Sequence, residues 1–108
     1  MPNMPVTGMI GPGLPVNSDS RPYINYTLNV ASPGTYTMTL ISSNSTAYDP
    51  YLYLLQNGMT LDRNDDGAGY PNSRITRMLM PGVYTVQVSS FRRTINTPAT
   101  FTLTVVGG

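Results

Sequence analysis

The chain contains no lysine, glutamate, histidine, cysteine or tryptophan. Each absence removes a class of chemistry. Without histidine or cysteine there is no imidazole base, no thiol nucleophile, no Ser-His-Asp arrangement and no zinc site built on imidazole or thiolate. Without lysine there is no Schiff base. The missing cysteines also rule out disulfides and leave the redox compartment open. Charge is scarce as well: 10% of the 108 residues, with six arginines against five aspartates and a net charge of +1. A soluble domain usually carries about 25% charged residues. Nothing here suits nucleic acid or an anionic membrane surface. No apolar run approaches the ~20 residues of a membrane span. Residues 1–16 lack the basic and apolar regions of a signal peptide, so an export signal has been removed or another route is used.

What remains is a chain wetted by threonine, serine and asparagine, of a length that fits one domain. From Tyr23 onward its apolar residues recur with period two. Ile24, Tyr26, Leu28 and Val30 alternate with Asn25, Thr27 and Asn29. After Ser32-Pro33-Gly34, Tyr36, Met38 and Leu40 alternate with threonines. Leu52 and Leu54 alternate with Tyr51 and Tyr53, and Asn57-Gly58 predicts a hairpin into residues 59–63. Residues 64–72 read as loop, and 73–80 as strand with Ile75 and Leu79 inward. Tyr84, Val86 and Val88 mark another strand; Phe101, Leu103 and Val105 mark the last. No window has helical periodicity. The pattern predicts an all-β domain over residues 21–108, about seven to eight antiparallel strands in a sandwich or small barrel. Pro33-Gly34-Thr35-Tyr36 is echoed by Pro81-Gly82-Val83-Tyr84, which reads as a repeated way of starting a strand.

Residues 1–20 are different. Their prolines and glycines exclude a helix or an interior strand. Met4, Val6, Met9, Ile10, Leu14 and Val16 are scattered among them. The segment is therefore a disordered linker, or an extended arm that lies on its own domain or a neighbour's.

Asp62, Asp65 and Asp66 crowd one glycine-containing stretch with Asn64. Carboxylate and amide oxygens around a flexible backbone suit calcium, with Asp49 or Asn72 completing the shell; an Asx-rich turn explains the same residues without a metal. Tyr48, Tyr51, Tyr53 and Tyr70 flank that stretch and offer a stacking surface for sugar or peptide, or simply cover a sheet. Arg92-Arg93 reads as a solvated loop tip. Asn25 and Asn44 stand in glycosylation sequons.

Several blocks in order carry a family resemblance: Asp49-Pro50-Tyr51-Leu52-Tyr53-Leu54, Asn64-Asp65-Asp66-Gly67, Asn72-Ser73-Arg74-Ile75, Pro81-Gly82-Val83-Tyr84-Thr85-Val86, and Phe101-Thr102-Leu103-Thr104-Val105. Over about residues 23–106 the chain resembles the bacterial pre-peptidase C-terminal (PPC) domain family. The resemblance implies a jelly-roll sandwich attached to exported proteins as a non-catalytic accessory or substrate-binding module, calcium-binding in several members. It marks Asp49, Asn64, Asp65, Asp66 and Asn72 as calcium candidates and Arg74 as a structural partner of their loop. Residues 1–20 lie outside the family pattern, and in this chain no enzyme precedes it.

Two functions follow as expectations. The first is a non-catalytic extracellular structural protein with a calcium-stabilised sandwich, a homo-polymer joined into a fibre or surface array by the arm, which adds as a strand to a neighbour. The other is a secreted, calcium-stabilised accessory module recognising protein or polysaccharide. An enzyme built on an aspartate pair is the least supported.

Overall fold

The computed structural model describes residues 5–42, 50–64, 72–91 and 98–107. Eight strands follow in chain order: β1 Val6–Ile10, β2 Tyr23–Val30, β3 Gly34–Ser42, β4 Pro50–Gln56, β5 Met59–Asn64, β6 Ser73–Leu79, β7 Gly82–Ser90 and β8 Ala99–Gly107. Every pairing is antiparallel, and the strands form two four-stranded sheets ordered β1-β8-β3-β6 and β2-β7-β4-β5. That order is a jelly roll, as the family resemblance led one to expect.

The period-two residues of both sheets meet in one core. Leu28, Met38, Leu40, Leu52, Leu54, Val86, Val88, Phe101 and Leu103 are shut off from solvent. Asn57 and Gly58 turn the β4–β5 hairpin with φ of 54° and 77°, the left-handed pair that a two-residue loop demands and that asparagine and glycine tolerate. The Pro-Gly-x-Tyr echo has a physical cause. Tyr36 and Tyr84, near the starts of β3 and β7, each donate a phenolic hydrogen bond to the carbonyl four residues upstream, Ser32 and Met80. Each ring thereby fills the core while its hydroxyl pins the preceding turn.

The N-terminal segment lies on its own domain, one of the alternatives that its composition left open. Val6–Ile10 is an edge strand along β8, in register from Val6 opposite Leu103 to Ile10 opposite Ala99. Ile10 is completely buried, and Val6 and Leu14 pack against the same core. The breakers kept this stretch from being an interior strand, but an edge strand needs only one hydrogen-bonded side. Gly8 is what allows the close approach: a Cβ there would lie 2.6 Å from the ring of Phe101, which occupies that space and meets Tyr26 edge-on. Met9 and Val16 remain exposed; Met4 lies outside the described residues. Asp62, assigned to the loop with Asp65 and Asp66, belongs instead to β5. There it faces Arg77 of β6 at 3.7 Å, while Arg77 also donates to the Leu61 carbonyl. These contacts clasp the two sheets along their β5/β6 side.

Candidate functional site

Pro15 and Pro22 bracket a short excursion between the two sheets. Within it the Asn17 side-chain carbonyl accepts from the backbone N–H of Asp19 and of Arg21, at 3.0 and 3.1 Å. The backbone closes the same turn through Asn17 N–H to the Arg21 carbonyl and Ser20 N–H to the Asn17 carbonyl. This is an Asx-anchored loop, and it holds Ser20 at a φ of 62°. Its last rung, Tyr23 N–H to the Pro15 carbonyl, ties it to the start of β2.

The loop lies over the outer face of the β2-β7-β4-β5 sheet. Strand register there sets Asn25, Gln87, Tyr53 and Arg63 in one row across four strands. Gln87 is the hub: its carbonyl accepts from the Asn17 amide and its own amide donates to Asn25, both at 3.0 Å. Although Gln87 and Tyr53 point away from the core, they are only 6% and 3% exposed, because the loop roofs them. The Tyr53 hydroxyl donates to Asp19 at 2.6 Å, and Arg21 and Arg63 stand 3.6 and 3.8 Å from the same carboxylate oxygen. Burial first, then the hydrogen bond to Asp19 and its negative charge, push the Tyr53 phenol up to about 12.

Beside this network runs an aromatic ledge. Tyr51 stacks on Tyr53 with centroids 4.8 Å apart, and the Phe91 ring lies parallel to Tyr51 at 6.3 Å. The Arg21 guanidinium sits over both outer rings, 4.9 Å from the Tyr51 centroid and 5.5 Å from that of Phe91, and donates to the Phe91 carbonyl. Phe91 is nevertheless 47% exposed. On the other side of Tyr53 an open cleft of about 240 Å³ is lined by Asn17, Ser18, Asn25, Tyr53, Thr60 and Gln87. The surface thus joins an arginine-covered aromatic ledge to a polar, amide-lined hollow.

The residues expected to act in function fall as follows. Tyr51 and Tyr53 share the outer face, but Tyr53 is roofed and engaged rather than free to stack on a ligand. Tyr48 and Tyr70 lie outside the described residues, as do Asp49, Asp65, Asp66 and the sequon residue Asn44. Asn25 is exposed at the cleft. Asn64 and Asn72 flank the 65–71 segment, and each spends its side-chain carbonyl on a backbone N–H, of Arg74 and of Ser42 respectively. Arg74 meets Asn64 through its backbone. Among the described residues no group of three acidic side chains gathers to hold a metal, and no helix is long and apolar enough to cross a membrane. Sequence reasoning missed Asn17, Asp19, Arg21, Gln87 and Phe91. The signal for the first three was present, since Asn-Ser-Asp-Ser between prolines is turn chemistry, but it was absorbed into the arm.

No protein-family model matches the chain, and no curated protein matches it. Solved structures do. The pre-peptidase C-terminal domain of a collagenase from Bacillus anthracis superposes with a TM-score of 0.69 at 18% identity, over 97% of this chain and 90% of that one. PliG, a periplasmic inhibitor of g-type lysozyme from Aeromonas hydrophila, gives 0.68 at 19% identity, over 97% and 85%. At such identities the likeness speaks for architecture alone, and the architecture is that of a PPC-like β-sandwich.

Proposed function

We propose that this chain is a non-catalytic, secreted binding module that docks a partner protein on the outer face of the β2-β7-β4-β5 sheet. The observation that carries the reading is the ledge of Tyr51 and Phe91 under Arg21, set beside the polar cleft. Aromatic and arginine side chains with a polar surround are the composition of protein-binding hot spots. A polysaccharide site would need open ring faces for sugar stacking, and the Arg21 guanidinium already lies against the Tyr51 and Phe91 rings. The neighbours lend support: one is an inhibitor of another protein, and the other is a domain of a collagenase. The periplasmic setting of the inhibitor supports export as the setting for this chain too.

A fibre joined by exchange of the N-terminal arm is not the reading advanced, because Val6, Ile10 and Leu14 are used inside their own sandwich. Calcium stabilisation rests on Asp49, Asp65 and Asp66 and on the family resemblance. It calls for a melting temperature that rises with calcium and falls with a chelator; an unchanged melt in both would sink it.

The test of the docking face is site-specific photocrosslinking with exported proteins of the source organism. A photoreactive phenylalanine at position 91 is expected to yield one discrete protein adduct, and the same group at Thr39, on the opposite face, none. Equal labelling from both positions, or none from either, would overturn the proposal. Retention on a glycan array that is lost on Phe91→Ala would transfer the face to polysaccharide.

A further inference from the structure

A jelly roll of two open sheets has four edge strands, and each exposes a row of backbone N–H and C=O groups able to pair with another chain. Three of the four are guarded. β1 is only five residues long, with Pro5 before it and Gly11-Pro12 after it. β5 carries Asp62 and Arg63 and a register shift opposite Leu54/Leu55. β6 carries Arg74 and Arg77, and Arg77 crosses to the Leu61 carbonyl and to Asp62, clasping that side shut.

The fourth edge, β2, has none of these devices. It runs eight residues, Tyr-Ile-Asn-Tyr-Thr-Leu-Asn-Val, without charge or proline, in unbroken register with β7. Tyr23 N–H points to Pro15 rather than to β7. Alternation then turns the N–H and C=O groups of Asn25, Thr27 and Asn29 outward, away from the sheet. All three residues are exposed, and among the described residues no hydrogen bond reaches those outward groups. Ile24 and Tyr26 are only half-buried, whereas Leu28 and Val30 on the same face are closed off.

We infer that β2 is the interface of a two-fold homodimer, in which two copies pair edge to edge and antiparallel. The open window fixes the register. It begins after Tyr23, where the Pro15 loop covers the edge, and ends at Val30, where the chain turns away; its midpoint is Thr27. Centring the two-fold axis there pairs Thr27 with its own copy and Asn25 with Asn29 of the second copy, closing about six backbone hydrogen bonds. The side-chain ladder is self-complementary: threonine against threonine, amide against amide, with no like charges opposed. On the core side Val30 of each copy comes opposite the half-buried Ile24 of the other, and Leu28 opposite Tyr26. A contact of this symmetry closes on itself, so it yields a dimer and not a filament.

The axis stands perpendicular to the joined sheet, so both outer faces look the same way. Tyr53 and its copy are then about five strand spacings apart, roughly 24 Å laterally. If the proposed docking face is correct, the dimer presents two such faces side by side to one partner surface. The pairing itself does not depend on that reading.

Analytical ultracentrifugation of the full chain from about 1 µM to about 500 µM tests it. The unaltered protein is expected to pass from monomer to dimer over that range. Thr27→Lys and Thr27→Asp each place like charges across the axis and are expected to weaken dimerisation at least about tenfold. An equimolar mixture of the two is expected to restore a dimer, which only a contact centred on residue 27 would do. Circular dichroism and melting confirm that each exposed-site variant is folded. A monomer at every concentration, or a dimer indifferent to both substitutions, would overturn the inference. Photocrosslinking at Phe91 reads the docking face independently, so the failure of one does not disguise the failure of the other.

Discussion

The two outer faces of the sandwich are built from the same alternation and end up unlike. Over β1-β8-β3-β6 the outward positions are mostly threonine, Thr7, Thr35, Thr37, Thr39, Thr76, Thr100, Thr102 and Thr104, none of them buried, with Met9, Ile41, Met78 and Val106 exposed among them. Thr37 and Thr76 share a hydrogen bond there at 3.2 Å. Over β2-β7-β4-β5 the outward Gln87, Ser89 and Tyr53 are buried, roofed by the Asx loop and satisfied by Asn17, Asp19, Asn25 and the Pro22 carbonyl. A face made mostly of solvated hydroxyls costs little to leave open. A face of buried amides and a buried phenol holds only while every partner stays in place, and that makes it specific.

Three substitutions sharpen this contrast. The largest effect is expected from Gln87→Ala, which removes the hub, so that the Asn17 amide loses its acceptor and the Asn25 side-chain carbonyl its donor; a loss of about 1–3 kcal/mol in denaturant unfolding follows. Tyr53→Phe comes next, at about 1 kcal/mol near neutral pH. Its pH signature is more telling. The folded phenol holds its proton up to about 12 whereas an ordinary tyrosine titrates near 10.0. The contribution is therefore full below pH 10 and is lost as pH rises from 10 towards 12, because the unfolded chain releases the proton first. The stability of the unaltered protein should fall across that window more steeply than that of the Phe variant; parallel curves would refute the coupling. The smallest effect belongs to the open face: Thr39→Ala should change stability by less than about 0.5 kcal/mol. A larger loss would show that the threonines of this face are a structural layer.

Much of the fold was legible because its signal is local. Alternation places Leu28, Met38 or Val86 inward whatever its neighbours do, and Asn57-Gly58 sets its own turn. The first strand was not legible. Val6–Ile10 resembles a linker by composition, and only the ring of Phe101, some ninety residues away in the chain, makes Gly8 a close contact rather than a break. The site was legible only in part. Tyr51 and Tyr53 stand out by residue type, but nothing local says that Tyr53 is roofed, or that Phe91 and Arg21 meet. Those contacts span 70 residues for Arg21 and Phe91 and 34 for Tyr53 and Asp19.

The sequence by itself determined the class of this protein and the chemistry it lacks. Period-two hydrophobicity commits a strand to an inside and an outside, and a chain without histidine, cysteine, lysine or glutamate has aromatics, amides, hydroxyls, five aspartates and six arginines as its functional groups. Tertiary structure alone decided which outer face is covered, which tyrosine is engaged and which edge is bare among the described residues. Those outcomes depend on where a loop lands and which strands become neighbours, which are set by the closure of the whole jelly roll.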